Sequence, residues 1–191
     1  VSGGRPLNIG LVRGAFRVVI GLLFVGHGSQ KLLGWFGGAG LEAAEQEMES
    51  LGLRPARQNA VLAGGSQMAA GGLLAAGLFT SASSSVIGAN MIAAIRTACA
   101  GKGPWGPKGG WEYQLVLTIA RLSFVEDGPG ALSLDGALGI ERKGTKTAAL
   151  AFAAAAGGAA AAIELGRRAP APALSSASDA GNASQSEHES K

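Results

Sequence analysis

Charge is scarce in this chain. Only 15% of its 191 residues are Asp, Glu, Lys or Arg, against about 25% in an ordinary soluble domain. Aromatic residues amount to 5%, so no basic face interleaved with stacking rings is visible, and nucleic acid is excluded as a partner. The single cysteine, Cys99, rules out an internal disulfide framework and any cysteine-held metal cluster. The two histidines, His27 and His188, lie far apart without zinc spacing, and no glycine-rich phosphate loop separates a strand from a helix. No metal site and no covalently bound cofactor is therefore expected. Haem ligand pairs and iron–sulfur cysteines are also missing, so electron transfer would need a redox centre from elsewhere.

What is abundant is apolar. Hydrophobic residues make up 47%, and mean hydropathy is +0.26 even with a long polar tail diluting it. Glycine contributes 32 residues without a collagen period, which points to close backbone packing or low complexity. With a net charge of +3 and a pI of about 9.4, the basic residues of so apolar a chain read as membrane flanks.

Four segments read as membrane spans. Residues 17–35 form the first and carry His27, Gln30 and Lys31. Residues 59–80 hold no charge and form the cleanest. Residues 82–100 contain Asn90 and Arg96; residues 111–125 are short, contain Arg121, and open with Trp111 and Tyr113 like an aromatic belt. A fifth segment, 147–165, is long enough, but alanine sits near zero on insertion scales, so it either spans or lies at the interface. The stretch 13–25 imitates a signal peptide; no small-residue cleavage motif follows, and it reads as a retained helix. Between the first two spans, Leu41, Ala44, Met48 and Leu51 share one helical face with four glutamates elsewhere, predicting a short amphipathic helix closed by Gly52 and Pro55.

No strand pattern competes, and spanning segments without barrel alternation must be helices. The expected fold is an all-α integral membrane four-helix bundle with an extra C-terminal Ala-rich helix. Residues 1–136 form the bundle, 137–168 a linker and the Ala/Gly-rich helix, and 169–191 a disordered tail. Gly64, Gly65, Gly71, Gly72 and Gly77 give the second span small-residue faces for close contact.

Antiparallel hairpins fix relative depth. His27, Lys31, Gln67, Arg96 and Glu112 should share one half of the bundle, and Arg17, Arg121, Asp127 and Asp135 the opposite end. On the first span, Arg17, Phe24, His27 and Lys31 fall within about an 80° stripe. A charge at the centre of a spanning helix costs about 2.5–3.5 kcal/mol, so these residues pair, snorkel or line a wet cavity. The bland readings make Arg17 a snorkelling anchor, Arg96–Glu112 and Arg121–Asp127 hairpin ion pairs, and Cys99 inert. The functional reading starts from His27, set between Gly26 and Gly28 and able to protonate near neutral pH. With Lys31 and Arg96 as donors and Glu112 to exchange a proton, that layer suits a quinone headgroup or a small oxyanion.

Several ordered blocks then carry a family resemblance: RVVIGLLFVGHGSQKLLGWFGG, ESLGLRP, GGLLAAGLFT, GGWEYQLVL and DGPGALSLDG. Over about residues 13–136 the chain resembles the DoxX family of small bacterial membrane proteins. The resemblance implies a four-helix core with both ends cytoplasmic, in the multi-pass setting of the bacterial cytoplasmic (plasma) membrane. It also implies an association with redox and oxidative-stress chemistry. Relatives include a small subunit of thiosulfate:quinone oxidoreductase and proteins linked to a superoxide dismutase and a thiosulfate sulfurtransferase. The implied partners are membrane lipid and either such soluble redox enzymes or a partner oxidoreductase subunit. The implied cofactor is a quinone, with catalysis only as a subunit of a quinone-linked complex. The family's recurring polar residues fall on Arg17, His27, Lys31, Glu112 and Asp135. Gln67 stands where many relatives carry glutamate, and an amide cannot relay protons as a carboxylate does. Three functions remain open: a redox subunit, a non-catalytic scaffold for soluble redox enzymes, and a small transporter. The lack of broken inverted repeats counts against the last.

Overall fold

The computed structural model describes residues 9–105 and 109–169; all but the first residue of the expected tail lies outside them. Within the described residues the chain forms seven α-helices and one 3-10 turn. They are α1 (Ile9–Leu33), a turn at Trp35–Gly37, α2 (Gly40–Ser50), α3 (Ala56–Ala76), α4 (Thr80–Arg96), α5 (Glu112–Glu126), α6 (Leu134–Ala137) and α7 (Thr145–Arg168).

Five of these are long and alternate in direction. α1 packs on α3, α3 on α4, α4 on α5, and α7 fills the side between α4 and α5. The start of α1, the α3–α4 turn, α6 and the start of α7 define a head end; α2, Arg96, Glu112 and the end of α7 define a far end. α1 and α3 approach closely because glycine faces glycine. A Cβ on Gly21 would lie 2.6 Å from the Gly71 carbonyl oxygen, and one on Gly71 would lie 2.6 Å from the Gly21 carbonyl oxygen. Gly65 and Gly72, on the other face of α3, meet nothing. The central core joins Ile20 and Phe24 of α1, Leu74 of α3, Ile87 and Met91 of α4 and Phe124 of α5. The amphipathic α2 lies as the pattern predicts, burying Ala44 and Met48 against Leu53, Ala56 and Ala60.

Among the described residues, two helices are long and apolar enough to cross a membrane: α1, with mean hydropathy 1.9, and α7, with 1.7. The segment expected to be the cleanest span falls short, because Asn59, Ser66, Gln67 and repeated glycines dilute α3. It also ends earlier than expected, at Gly77. Gly77 takes the left-handed conformation (φ 65°), and its N–H turns back on the Leu73 and Leu74 carbonyls. α4 and α5 have 17 and 15 residues, fewer than the roughly 20 of a full perpendicular span.

The Ala-rich segment is an integral member of the bundle. Ala151, Ala155, Ala159 and Ile163 form its buried stripe, and Val125 of α5 packs with Ala148 and Ala151. Alanine's small side chain permits this approach whatever its weak pull toward lipid. At the other end of α7 the Arg54 N–H donates to the Gly166 carbonyl at 2.7 Å. Ile9 and Arg168 thus lie at opposite ends, while the two ends of the expected four-helix core stand together, the Ala131 N–H donating to the Gly10 carbonyl at 2.8 Å.

Candidate functional site

The expected His27 layer is dispersed. His27 is exposed on α1, and its hydrogen-bond and ring partners lie on its own helix: Nδ1 lies 3.2 Å from Gln30 Oε1, and the ring meets Phe24 edge-on. Gln30 in turn donates to the Phe36 carbonyl. Lys31 turns to the amphipathic helix and pairs with Glu47 at 2.6 Å. Arg96 and Glu112 are both exposed. Among the described residues, no hydrogen bond or ion pair joins any two of His27, Lys31, Gln67, Arg96 and Glu112. Gln67 alone is buried, with Oε1 unpartnered. The cause is angular. Gly28 sits about 20° from Arg17 around the helix and faces α3, while His27 sits about 80° away and clears the contact.

The other tier is inside. Arg17 is 1% exposed, Arg121 0% and Asp135 4%. Asp127 does not join them: it is exposed and pairs with Arg13 at 3.4 Å rather than with Arg121. Asp135, on the four-residue α6, reaches across to the start of α4. Its carboxylate accepts the Phe79 N–H at 2.7 Å and the Thr80 N–H at 2.8 Å. Phe79, at φ 49°, offers no side-chain cap of its own, so a carboxylate from 55 residues away supplies it. The Asp135 N–H donates to the Gly77 carbonyl at 2.8 Å, which ties α6 to the α3–α4 turn.

Arg17 sits against that same turn. Its guanidinium fills the space beside Gly77, and Nη2 donates to the Leu132 carbonyl at 3.2 Å. Asp135 is the carboxylate that acts on it electrostatically. Nε and Nη1 have no partner. Arg121, halfway along α5, crosses to α4, where it lies flat on Gly88 and Nη1 donates to the Ser84 carbonyl at 3.0 Å. Nε and Nη2 have no partner, nor do Ser84 Oγ and Thr80 Oγ1. Thr80, Ser84 and Gly88 follow one another at steps of four and so share one face of α4. Sequence reasoning passed over these hydroxyls because they carry no charge; their spacing opposite an intramembrane arginine was the available signal.

Thr80 and Asp135 also border a head-end depression of about 350 Å³, shared with Phe79, Ser81, Ile140 and Arg142. The chemistry of this tier is that of donors without acceptors. Two guanidinium groups and two hydroxyls face a low-dielectric interior that holds one carboxylate, itself occupied. Such a set favours an incoming carbonyl or oxyanion.

Comparison with known proteins gives one match. The DoxX family model covers residues 14–100, which takes in α2, α3, α4 and α1 from Gly14 onward, and stops before α5. No curated protein and no solved structure matches the chain.

Proposed function

We propose, from the membership of residues 14–100 in the DoxX family of small membrane proteins, that this chain is a multi-pass subunit of a redox or oxidative-stress system. It works in the bacterial cytoplasmic membrane and is quinone- or sulfur-linked. The observation that carries the membrane part is the inverted polarity of α1. Leu22 and Leu23 are 58% and 50% exposed, while Arg17 is 1% exposed. Water favours the reverse arrangement; acyl chains favour this one. Exposed Trp35, Phe36, Trp105 and Tyr113 at the far end suit the headgroup level there.

The ligand-binding part is assigned to Arg121 of the inner tier, whose Nε and Nη2 are unpartnered along the α4 face that carries the free Thr80 and Ser84 hydroxyls. Its unpartnered donors suit a quinone carbonyl or a sulfur oxyanion. The redox centre belongs to a partner, either a soluble enzyme such as a superoxide dismutase or sulfurtransferase, or another oxidoreductase subunit. His27, Lys31, Arg96 and Glu112 are then separate far-end positions, of which Lys31 pairs with the acidic α2. Their dispersal favours a second reading, in which the far end anchors partners and no ligand is bound.

A deletion strain separates the two. Sensitivity to thiol oxidants should be rescued by the wild-type chain and not by Arg121→Leu, with both present in membranes at equal level. Equal rescue would remove the ligand role and leave the scaffold. Identification of the proteins that copurify from membranes tests the partner assignment in either case.

A further inference from the structure

A second feature of the head end opens outward, and it does not depend on the redox reading. A groove of about 340 Å³ runs along the N-terminal half of α1, between that helix and the loop at residues 131–132. Leu11, Ala15, Val18, Val19, Ala131 and Leu132 line it, and Arg17 is its one charged residue. The loop is held in place to form the wall. Ala131 N–H donates to the Gly10 carbonyl at 2.8 Å, and a Cβ on Gly14 would lie 2.6 Å from the Ala131 carbonyl oxygen. Any larger residue at position 14 would push the wall away.

We propose that this groove holds a membrane phospholipid, with the phosphate on Arg17 and an acyl chain along the apolar wall. Arg17 is 1% exposed and uses only Nη2, on the Leu132 carbonyl. Nη1 is seated against Gly77, so the unpartnered Nε is the donor left for a phosphate, since the oxygens of Asp135 are engaged by Phe79 and Thr80. Arg13 stands one turn nearer the head end, about 6 Å along the axis, where it binds Asp127. A sunken phosphate would therefore lie below a second guanidinium at headgroup height. The outer flank of α1 here is exposed Val12, Phe16 and Val19, so the groove opens toward lipid chains. A free inorganic anion would surrender its hydration for one cation in an apolar slot. An amphiphile delivers the same phosphate with its tail already in matching surroundings. A cationic choline would meet Arg13, so phosphatidylglycerol fits better than phosphatidylcholine.

The test is native mass spectrometry of the full chain in mild detergent, with thermal unfolding as a second readout. The wild type should retain one phosphatidylglycerol and gain thermal stability from it, with at least ten-fold weaker retention of phosphatidylcholine. Arg17→Met should lose that retention. Ala15→Trp, at an exposed wall position, should lose it too while keeping Arg17 and the fold, and it decides the matter if Arg17→Met does not fold. Equal retention by Ala15→Trp overturns the proposal. So does equal retention of both lipids, equal stabilisation by inorganic phosphate, or displacement of the lipid by a quinone at equal concentration.

Discussion

The Arg17 guanidinium occupies the place where a side chain on Gly77 would stand. Gly77 is there because the α3–α4 turn needs a left-handed residue, and the hydrogen it carries in place of a side chain leaves room for the cation. Gly77→Ala should therefore do two things: strain the turn and expel Arg17. A loss of about 1–3 kcal/mol is expected from the strain alone, read as a lower unfolding temperature in detergent. An unchanged temperature would show that Arg17 is not seated at this turn.

Asp135 acts as the missing cap of α4. Asp135→Ala should cost about 1 kcal/mol, and Asp135→Asn should recover only part of that, since its amide oxygen accepts one of the two N–H groups while its NH2 faces the other. Equal losses in the two variants would indicate that charge toward Arg17, rather than capping, is the larger contribution.

Arg121 separates stability from function. Replacing a buried ion by an apolar residue of similar volume is often neutral or stabilising, and Arg121 makes one hydrogen bond while leaving two donors idle. Arg121→Leu should match or exceed the wild-type unfolding temperature while failing to protect cells against thiol oxidants. His27→Ala, on an exposed face, should protect within about two-fold of wild type; a ten-fold loss there would return the site to the far end.

The α1–α3 seam predicts a contrast between neighbouring glycines. Gly71→Leu inserts bulk where Gly21 already touches, and overpacking of this kind costs about 1–3 kcal/mol. Gly72→Ala points into open space and should be neutral, or stabilising by up to about 1 kcal/mol through helix propensity. Similar unfolding temperatures for the two would refute the packing described.

The Lys31–Glu47 pair is close but half-exposed, at 29% and 41% of side-chain surface. A double-mutant cycle should give a coupling of about 0.2–1 kcal/mol. Met48 and Ala44 should keep α2 docked when the pair is removed; if Lys31→Ala releases α2 to proteolysis, the ion pair holds more than the apolar contact.

Depth along the bundle was legible in the sequence, and direction around each helix much less so. The α2 face was readable because Leu41, Ala44, Met48 and Leu51 contrast with four glutamates on one short helix. Hairpin counting set Arg17 and Asp135 at one end and Lys31 at the other, and Arg17 and Asp135 meet the α3–α4 turn while Lys31 meets α2. Which of the polar residues point inward was not legible. Arg17 and His27 differ by only about 80° around α1, yet one is sealed and the other open. In a helix apolar on nearly every side, no polar face marks the outside. The Ala-rich segment was undervalued for a related reason. Insertion scales compare a residue with lipid, whereas Ala151, Ala155 and Ala159 are held by the helices beside them.

The placement of α7 alters what such a molecule can link. Among the described residues, an odd number of alternating long helices sets Ile9 at one end of the bundle and Arg168 at the other; on the proposed multi-pass reading these two residues stand at opposite faces of the membrane. On that reading, a soluble partner held at the Ile9 end would share no solvent with one held at the Arg168 end, and the bundle between them would be a fixed address for both.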